Sequence, residues 1–229
     1  MKNLYCVIDV SGKVPFYDHA LNKALNEYEI VDLYTPYDNK TEYSATYHVF
    51  KLIRLFNHKK QNGNKVLKAL ESVFNYMYLL FIQCFKKYEV LHFQWLPFLE
   101  FTGIEKYFLR LYKTITPNTK IVLTQHNTYP HNSSNLLKNK YKARFRTIDK
   151  YIDKYIVHTE SSKNALYNEF DISYKKIEVI YHGIFVPEKM PDKTSNSEKM
   201  KIAIKYTSET NDRYFGYTNL LVNYLGGTH

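Results

Sequence analysis

The chain has 229 residues, of which 45% are hydrophobic and 17% aromatic, and its formal net charge is +10. This apolar content is enough for a sizeable core and excludes a disordered protein. The seven glycines and seven prolines are too few for a turn-rich all-β fold. The basic balance favours an anionic partner, namely nucleic acid, anionic lipid or a phosphorylated small molecule, and composition alone does not rank the three.

The N-terminus and the cysteines favour a cytoplasmic protein. The opening MKNLYCVIDVSG has a short apolar run without a small-residue cleavage site, so it predicts a first strand rather than a secretion signal. Cys6 and Cys84 lie far apart in apolar segments, which predicts two reduced thiols in the core. The most apolar stretch, residues 73–85, is interrupted by Asn75 and Gln83. It is shorter than the roughly 20 apolar residues that span a bilayer, so it predicts a buried helix.

Apolar runs of strand length alternate with longer helical patterns as far as residue 183. The predicted strands are residues 4–10, 29–34, 90–95, 120–124, 155–158 and 177–181. The predicted helices are residues 18–28, 47–58, 66–87, 103–114, 136–148 and 161–170. This order predicts an α/β fold, a Rossmann-like parallel sheet with helices on both faces. Ligands of such sheets bind beyond the carboxyl ends of the strands, which points to the loops 11–17, 92–97, 125–131 and 158–162.

The predicted helix at residues 47–58 begins a basic, amphipathic segment that extends to residue 60. Its apolar face would carry Val49, Leu52, Ile53 and Phe56. The positive charges beside that face come from Lys51, Arg54, Lys59 and Lys60. Such a helix suits contact with an anionic membrane surface. A core-facing helix with a solvated basic side is the alternative that the pattern leaves open.

The character of the sequence changes after Pro187. Residues 1–188 form the predicted α/β domain, and the polar, charged residues 189–200 (KMPDKTSNSEKM) predict a linker. Residues 201–206 have the composition of a further strand. We expect residues 201–229 to be a remnant of a second domain or a non-native tail, poorly ordered or packed on the first domain.

Four segments carry a resemblance to a known family. They are VIDVSGKVPFYDHALNKAL near the N-terminus, then IVLTQHNTYPH, YIVHTESSKNAL and IEVIYHGI. In this order and spacing they resemble the N-terminal, acceptor-side domain of family-4 retaining glycosyltransferases, which have the GT-B fold. The resemblance spans most of residues 1–188. It implies transfer of a hexosyl group from a nucleotide sugar to a lipid-linked or polysaccharide acceptor.

The resemblance also assigns roles to residues at the strand ends. His126 would line the acceptor site next to the reacting centre, as the catalytic residue that orients the acceptor. The residues expected to bind the acceptor are Gln125, Asn127 and His131. The residues expected near the donor phosphates are Gly12, Glu160 and Ser161. A tight turn at Gly12 and an ordinary helix cap at residues 159–162 are the alternatives, and His92 is expected to be a satisfied strand-end histidine.

The chemistry is expected to need no metal and no cofactor. His126 and His131 have no cysteine or carboxylate close by in the sequence, which disfavours a metal site. Asp-x-Asp, GxGxxG, the P-loop and G-x-S-x-G patterns are all missing from the sequence, which disfavours metal-dependent transferases, dinucleotide enzymes, P-loop NTPases and common hydrolases. No helix-turn-helix or zinc-finger pattern explains the positive charge, so nucleic acid is not an expected partner.

The donor half of the family is not recognisable in the sequence. Family members carry a Gly-Arg…Lys-Gly segment and two glutamates spaced i, i+8, and neither pattern occurs here. We therefore expect a chain truncated before the donor-binding domain, with little or no activity alone. The alternative is a non-catalytic module that binds acceptor or membrane and is completed by a separate donor-domain chain. Either protein would be cytoplasmic, with a possible peripheral position at the inner face of the cytoplasmic membrane.

Overall fold

A computed structural model provides the structure of the protein. It describes residues 4–12, 15–36, 47–53, 65–130, 134–181, 216–218 and 221–223. The chain divides into two compact units, Met1–His182 and Gly183–His229.

The described residues of the first unit form seven strands and five α-helices. The strands are β1 (Leu4–Ile8), β2 (Ile30–Thr35), β3 (His48–Lys51), β4 (Val90–Phe93), β5 (Lys120–Thr124), β6 (Lys154–Val157) and β7 (Ile177–Val179). The helices are α1 (Pro15–Asn26), α2 (Lys65–Lys86), α3 (Glu105–Ile115), α4 (Asn135–Asp149) and α5 (Glu160–Phe170). All seven strands pair in parallel, in the order β3-β2-β1-β4-β5-β6-β7. The predicted Rossmann-like α/β fold is confirmed.

Side chains of the central strands alternate between two cores, because successive residues of a strand point to opposite faces. On one face, Ile8 and Leu123 pack with the inner sides of α2, α3, α4 and α5. On the other face, Val7 and Leu33 pack against Leu21 of α1. Helices therefore cover both faces of the sheet, as the sequence predicts.

The helix predicted at residues 47–58 is wrong where the structure describes this segment, because β3 occupies its beginning. β3 pairs in parallel with β2, and Phe50 stacks on the buried ring of Tyr34, with ring centroids 4.8 Å apart. Val49 and Phe50 are side chains typical of strands. Pairing with the edge of β2 also gives this backbone hydrogen bonds along a sheet, and that tertiary contact outweighs the helical spacing of the apolar residues.

The first part of the helix predicted to contact a membrane is therefore a strand. Lys51 is an exposed residue at the end of β3. Arg54, Lys59 and Lys60 lie outside the described residues, so their contact with a membrane stays a prediction. None of the helices in the described parts of the chain is long and apolar enough to cross a bilayer.

The prediction that residues 73–85 form a buried helix is half wrong. Tyr76 and Leu80 of α2 are buried, whereas Phe81 and Phe85 are 61% and 69% exposed. Cys6 is buried as predicted, but Cys84 is exposed. The reason is geometric, since a helix that packs on one face of a sheet buries one side, and the sequence of α2 is apolar on both sides.

The two amides that interrupt this apolar stretch connect α2 to neighbouring segments. Asn75 is buried, accepts a hydrogen bond from the N–H of Ile53 (2.9 Å) and donates one to the carbonyl of Ile53 (3.0 Å). Gln83 is also buried; its Nε2 donates to Thr119 Oγ1 at 3.0 Å and its Oε1 accepts from the N–H of Tyr88 at 3.2 Å. Both amides satisfy polar groups that would otherwise lack partners in protein.

Replacing Asn75 by alanine is expected to lower the free energy of unfolding by about 1–2 kcal/mol, because two backbone groups of Ile53 lose their partner. Asn75→Asp keeps the acceptor and loses the donor, so we expect an intermediate loss. Urea unfolding measures both, with Asn139→Ala, on the exposed side of α4, as the control. A loss for Asn75→Ala no larger than that of the control would contradict this role.

The second unit contains one described hairpin. Strands β8 (Gly216–Thr218) and β9 (Leu221–Asn223) pair antiparallel. The linker predicted at residues 189–200 and the strand predicted at residues 201–206 lie outside the described residues. The division of the chain into a domain, a linker and a remnant therefore stays a prediction.

Candidate functional site

The carboxyl ends of β1, β4, β5 and β6 form the edge of the sheet where a ligand crevice is expected. These four strands are neighbours in the sheet. Trp95 follows β4, His126 follows β5 and His158 follows β6, while Tyr17 lies in the first turn of α1, which follows β1. The fold therefore brings four polar or aromatic rings from separate parts of the sequence to the same edge of the sheet.

The rings of Tyr17, Trp95 and His158 each contact the ring of His126, and we call the four residues the ring cluster. The His126 ring is stacked on Trp95 at a centroid distance of 5.7 Å and an interplanar angle of 26°. The centroid of His126 is 5.1 Å from that of His158. Tyr17 meets both imidazoles edge-on, at 5.0 Å from His126 and 5.3 Å from His158. His126 is therefore held by rings from three other segments.

The two imidazoles form a hydrogen-bonded pair. Nδ1 of His158 lies 2.8 Å from the carbonyl oxygen of Ile180, and its Nε2 lies 3.3 Å from Nδ1 of His126. Burial lowers the pKa of His158 below its ordinary value, an effect that the Ile180 bond partly offsets, so the ring is neutral at pH 7.

The tautomers follow from these contacts. A carbonyl can only accept, so Nδ1–H of His158 donates to Ile180 and its Nε2 accepts. Nδ1–H of His126 then donates to His158, and in the neutral form of the ring Nε2 of His126 is the acceptor nitrogen. Such a nitrogen can accept a hydrogen bond from a hydroxyl group.

A buried polar layer lies next to the ring cluster. His92 is fully buried; its Nδ1 is 3.0 Å from the Tyr5 hydroxyl and its Nε2 is 2.7 Å from Thr124 Oγ1. Burial lowers the pKa of His92 to about 3. Thr124 also forms a hydrogen bond with the Tyr17 phenol. The expectation of a satisfied strand-end histidine is confirmed for His92, which connects the sheet interior to the ring cluster through Thr124.

The loop after β1 is folded around one carboxylate. Oδ1 of buried Asp9 accepts hydrogen bonds from the N–H of Ser11 (2.9 Å), the hydroxyl of Ser11 (2.8 Å) and the N–H of Gly12 (2.9 Å). Gly12 has φ = 62°, a left-handed conformation that favours glycine. Burial, and then the neighbouring carboxylate of Asp9, raise the pKa of Asp18 well above its usual value. The raised pKa favours the neutral form of the buried Asp18 carboxyl group.

Comparison with known proteins agrees with this architecture. The model of Glycosyltransferase Family 4 matches residues 21–186, which include the second half of α1, the six strands from β2 to β7, and the loops that carry His126 and His158. The chain belongs to glycosyltransferase family 4. A search of curated protein sequences found no match.

Solved structures share the fold of this family-4 domain. A sucrose-phosphate synthase from Thermosynechococcus elongatus matches with a TM-score of 0.58 and 14% identity over 80% of this chain and 49% of its own. Another structure of a sucrose-phosphate synthase from that organism matches with a TM-score of 0.50 and 15% identity, over 79% of this chain and 90% of its own. A glycosyltransferase from Rickettsia africae matches with a TM-score of 0.52 and 16% identity, over 80% and 44%. The chain thus spans about half the length of the first of these proteins and less than half of the third.

The structure places the expected acceptor residues of this family-4 chain on one loop. His126 is half-buried in the ring cluster. Gln125 is buried, and its amide donates to the carbonyl of Asn127 and to the Tyr141 hydroxyl, the latter at 2.9 Å. Gln125 therefore fixes the loop against α4. Contact of His126, Gln125 and Asn127 with an acceptor stays a prediction, and His131 lies outside the described residues.

The residues expected near the donor phosphates have structural roles of their own. The N–H of Gly12 donates to Asp9, as described above. Thr159 is the N-cap of α5, since its Oγ1 accepts from the N–H of Ser162 at 3.0 Å. Glu160 is exposed and Ser161 is half-buried in the first turn of α5. The turn and the helix cap are confirmed, and proximity to a phosphate stays a prediction for Gly12, Glu160 and Ser161.

Sequence reasoning missed three members of the ring cluster. Tyr17, Trp95 and His158 each lie in a loop or helix start that follows a strand, so their position was a usable signal. The sequence contained no reason to choose these three side chains rather than others in the same loops. Their contacts with His126 depend on which strands are neighbours in the sheet, and local sequence does not show that order. Among the described residues there is no group of three metal-ligating side chains, and metal-free chemistry stays a prediction.

Proposed function

We propose that this chain supplies the acceptor-binding half of a retaining glycosyltransferase, which transfers a hexosyl group from a nucleotide sugar to a lipid-linked or polysaccharide acceptor. The proposed location is the cytoplasm, peripheral at the inner face of the cytoplasmic membrane, where lipid-linked acceptors lie. The observation that carries the proposal is the ring cluster, because it sits at the ligand-binding edge of a family-4 fold.

The chemistry of the ring cluster supports an acceptor with hydroxyl groups. Trp95 and Tyr17 offer flat apolar surfaces of the kind that pack against the C–H faces of a sugar ring. Nε2 of His126 is buried in this structure, and we propose that a bound acceptor displaces the atoms that cover it and donates a hydroxyl proton to it. Since the Nδ1 side of His126 is bonded to His158, the imidazole has a fixed orientation, and a fixed partner lowers the entropic cost of placing the hydroxyl for attack.

A second candidate is a non-catalytic acceptor- or membrane-binding module completed by a separate donor-domain chain. It is favoured by the exposed apolar side chains of α2, such as Phe81 and Phe85, which suit binding to a membrane surface. Affinity purification of the tagged chain from its own cells distinguishes the two. Under this second proposal a donor-domain protein with a Gly-Arg…Lys-Gly segment is retained on the column, and transfer requires it.

Acceptor binding is directly measurable, because Trp95 is the sole tryptophan of the chain and belongs to the ring cluster. Titration with a panel of oligosaccharides and short-chain polyprenyl phosphosugars is expected to change the emission of Trp95 saturably for at least one compound. His126→Ala is expected to weaken that binding about tenfold, whereas the exposed His48 is a control whose alanine variant binds normally. Absence of any response to acceptors would count against the proposal.

A further inference from the structure

The outer side of α2 is a continuous row of apolar side chains. The exposed residues of this row are Leu70 (49%), Phe74 (62%), Met77 (52%), Phe81 (61%) and Phe85 (69%). They recur every three or four positions, so they share one side of the helix, over a length of about 22 Å. The opposite side of α2 is the one that packs on the sheet.

The neighbouring helix α3 continues this surface. Its exposed apolar residues are Tyr107 (56%), Leu111 (44%) and Ile115 (42%), spaced four apart. The two helices are joined on their inner sides, where the Tyr76 and Phe108 rings stack at 4.9 Å. We call the eight exposed residues of α2 and α3 the apolar face. Contiguous apolar surfaces of this kind are uncommon on soluble monomers and mark sites of interaction.

Among the described side chains of α2 and α3, the charged ones that are not buried are basic. The acidic residues of α2 and α3, Glu71 and Glu105, are both buried. By contrast, Arg110 is exposed and Lys106 is half-exposed. Beyond the end of α2, Lys87 and Glu89 are both exposed. The whole chain has the same basic bias, with a formal net charge of +10.

We propose that the apolar face docks the protein on an anionic membrane surface. Phenylalanine, leucine and tyrosine side chains insert at the boundary between headgroups and acyl chains, and lysine and arginine around them attract anionic lipid. A second copy of the chain would bring the same cations together, which opposes self-association through this face. The proposal rests on the proposed function only for the identity of the acceptor, because docking itself needs no catalysis.

The position of the apolar face fits a lipid-linked acceptor. In a parallel sheet each crossover helix starts at the edge where the strands have their carboxyl ends, so α2 and α3 begin at the edge that carries the ring cluster. The Leu70 and Tyr107 ends of the face therefore lie toward that edge. Docking through α2 and α3 uses a different surface from the helix expected at residues 47–58, which the structure does not form at residues 48–51.

The test is flotation of the whole chain with phosphatidylcholine vesicles, with and without about a quarter of phosphatidylglycerol. The wild type is expected to float with the anionic vesicles and much less with the neutral ones. Phe81→Ser combined with Phe85→Ser is expected to lower the bound fraction about tenfold or more. The matched control is Leu136→Ser with Leu137→Ser, which changes two exposed leucines of α4 (64% and 51%) and should leave flotation unchanged.

Several outcomes would overturn the proposal. They are a wild type that stays unbound with anionic vesicles, a Phe81/Phe85 variant that floats like the wild type, or a dimer in sedimentation that this variant dissociates. Circular dichroism of each variant confirms that the fold is retained. Flotation that persists while no acceptor changes the emission of Trp95 would count against the proposed function and leave the docking proposal standing.

Discussion

Replacement of His126 by alanine is expected to lower kcat/KM for glycosyl transfer about 100-fold, equivalent to about 2.7 kcal/mol of transition-state stabilisation. The physical reason is that Nε2 of His126 would accept the hydrogen bond of the attacking hydroxyl, and the ring cluster holds that nitrogen in place. The assay measures transfer of label from a panel of nucleotide sugars in membranes of cells that make the protein, which supply acceptor and any donor-domain partner.

Two further variants separate orientation from proton transfer. His126→Gln retains a hydrogen-bonding side chain, so a loss of about tenfold or less indicates orientation. His158→Ala removes the hydrogen-bond partner of His126 Nδ1. If His158 positions His126, this variant should have a higher KM for the acceptor and an altered pH profile, in addition to a lower kcat. His48→Ala is the control, since its side chain is exposed on β3. Equal rates for His126→Ala and His48→Ala would exclude a role for His126.

The stability of the domain is expected to depend on pH through two buried groups with opposite signs. Burial lowers the pKa of His92 from 6.5 to about 3, so below pH 6.5 the unfolded chain binds a proton that the folded chain does not. Burial also raises the pKa of Glu105 from 4.5 to about 7, so above pH 4.5 the folded chain keeps a proton that the unfolded chain has lost. Each group changes the free energy of unfolding by at most about 1.4 kcal/mol per pH unit.

Two single variants separate these contributions. The free energy of unfolding of the wild type, relative to that of His92→Gln, should decrease as pH falls from 6.5. The reason is that the imidazole must stay neutral in the folded chain while it gains a proton in the unfolded chain. The advantage of the wild type over Glu105→Gln should shrink as pH rises from 4.5 to 7, because ionising the buried carboxyl group costs more. Urea unfolding across this range measures both. Differences that vary with pH in the same direction would refute the assignment.

The strands of the sheet were predictable because their residues are buried on both faces. Runs such as the one that became β5 are short, apolar and bounded by polar residues, which is the pattern of an interior parallel strand. β3 was not predictable, because it is an edge strand with one side half-exposed, and its apolar residues also fit a helical spacing. Its conformation is decided by the free edge of β2, which is a tertiary feature.

The place of the candidate site at the ends of the strands could be predicted, but the set of residues that form it could not. His126 was identified because it directly follows a strand and lies in a recognisable loop. Trp95 and His158 follow strands as well, yet their contact with His126 depends on β4, β5 and β6 being neighbours in the sheet, an order that local sequence does not encode. The exposure of Phe81 and Phe85 was missed for a related reason, since an apolar pattern around a whole helix favours burial on every side.

The hydrogen bond from His158 to the Ile180 carbonyl links the imidazole pair to the backbone beyond β7. Ile180 precedes the boundary between the two units, at residues 182 and 183, by two positions. A change in the backbone at Ile180 would therefore reach His158 before any other ring of the cluster. The nitrogen chemical shifts of the two imidazoles would report such a change, which makes them a spectroscopic probe of the backbone that follows β7.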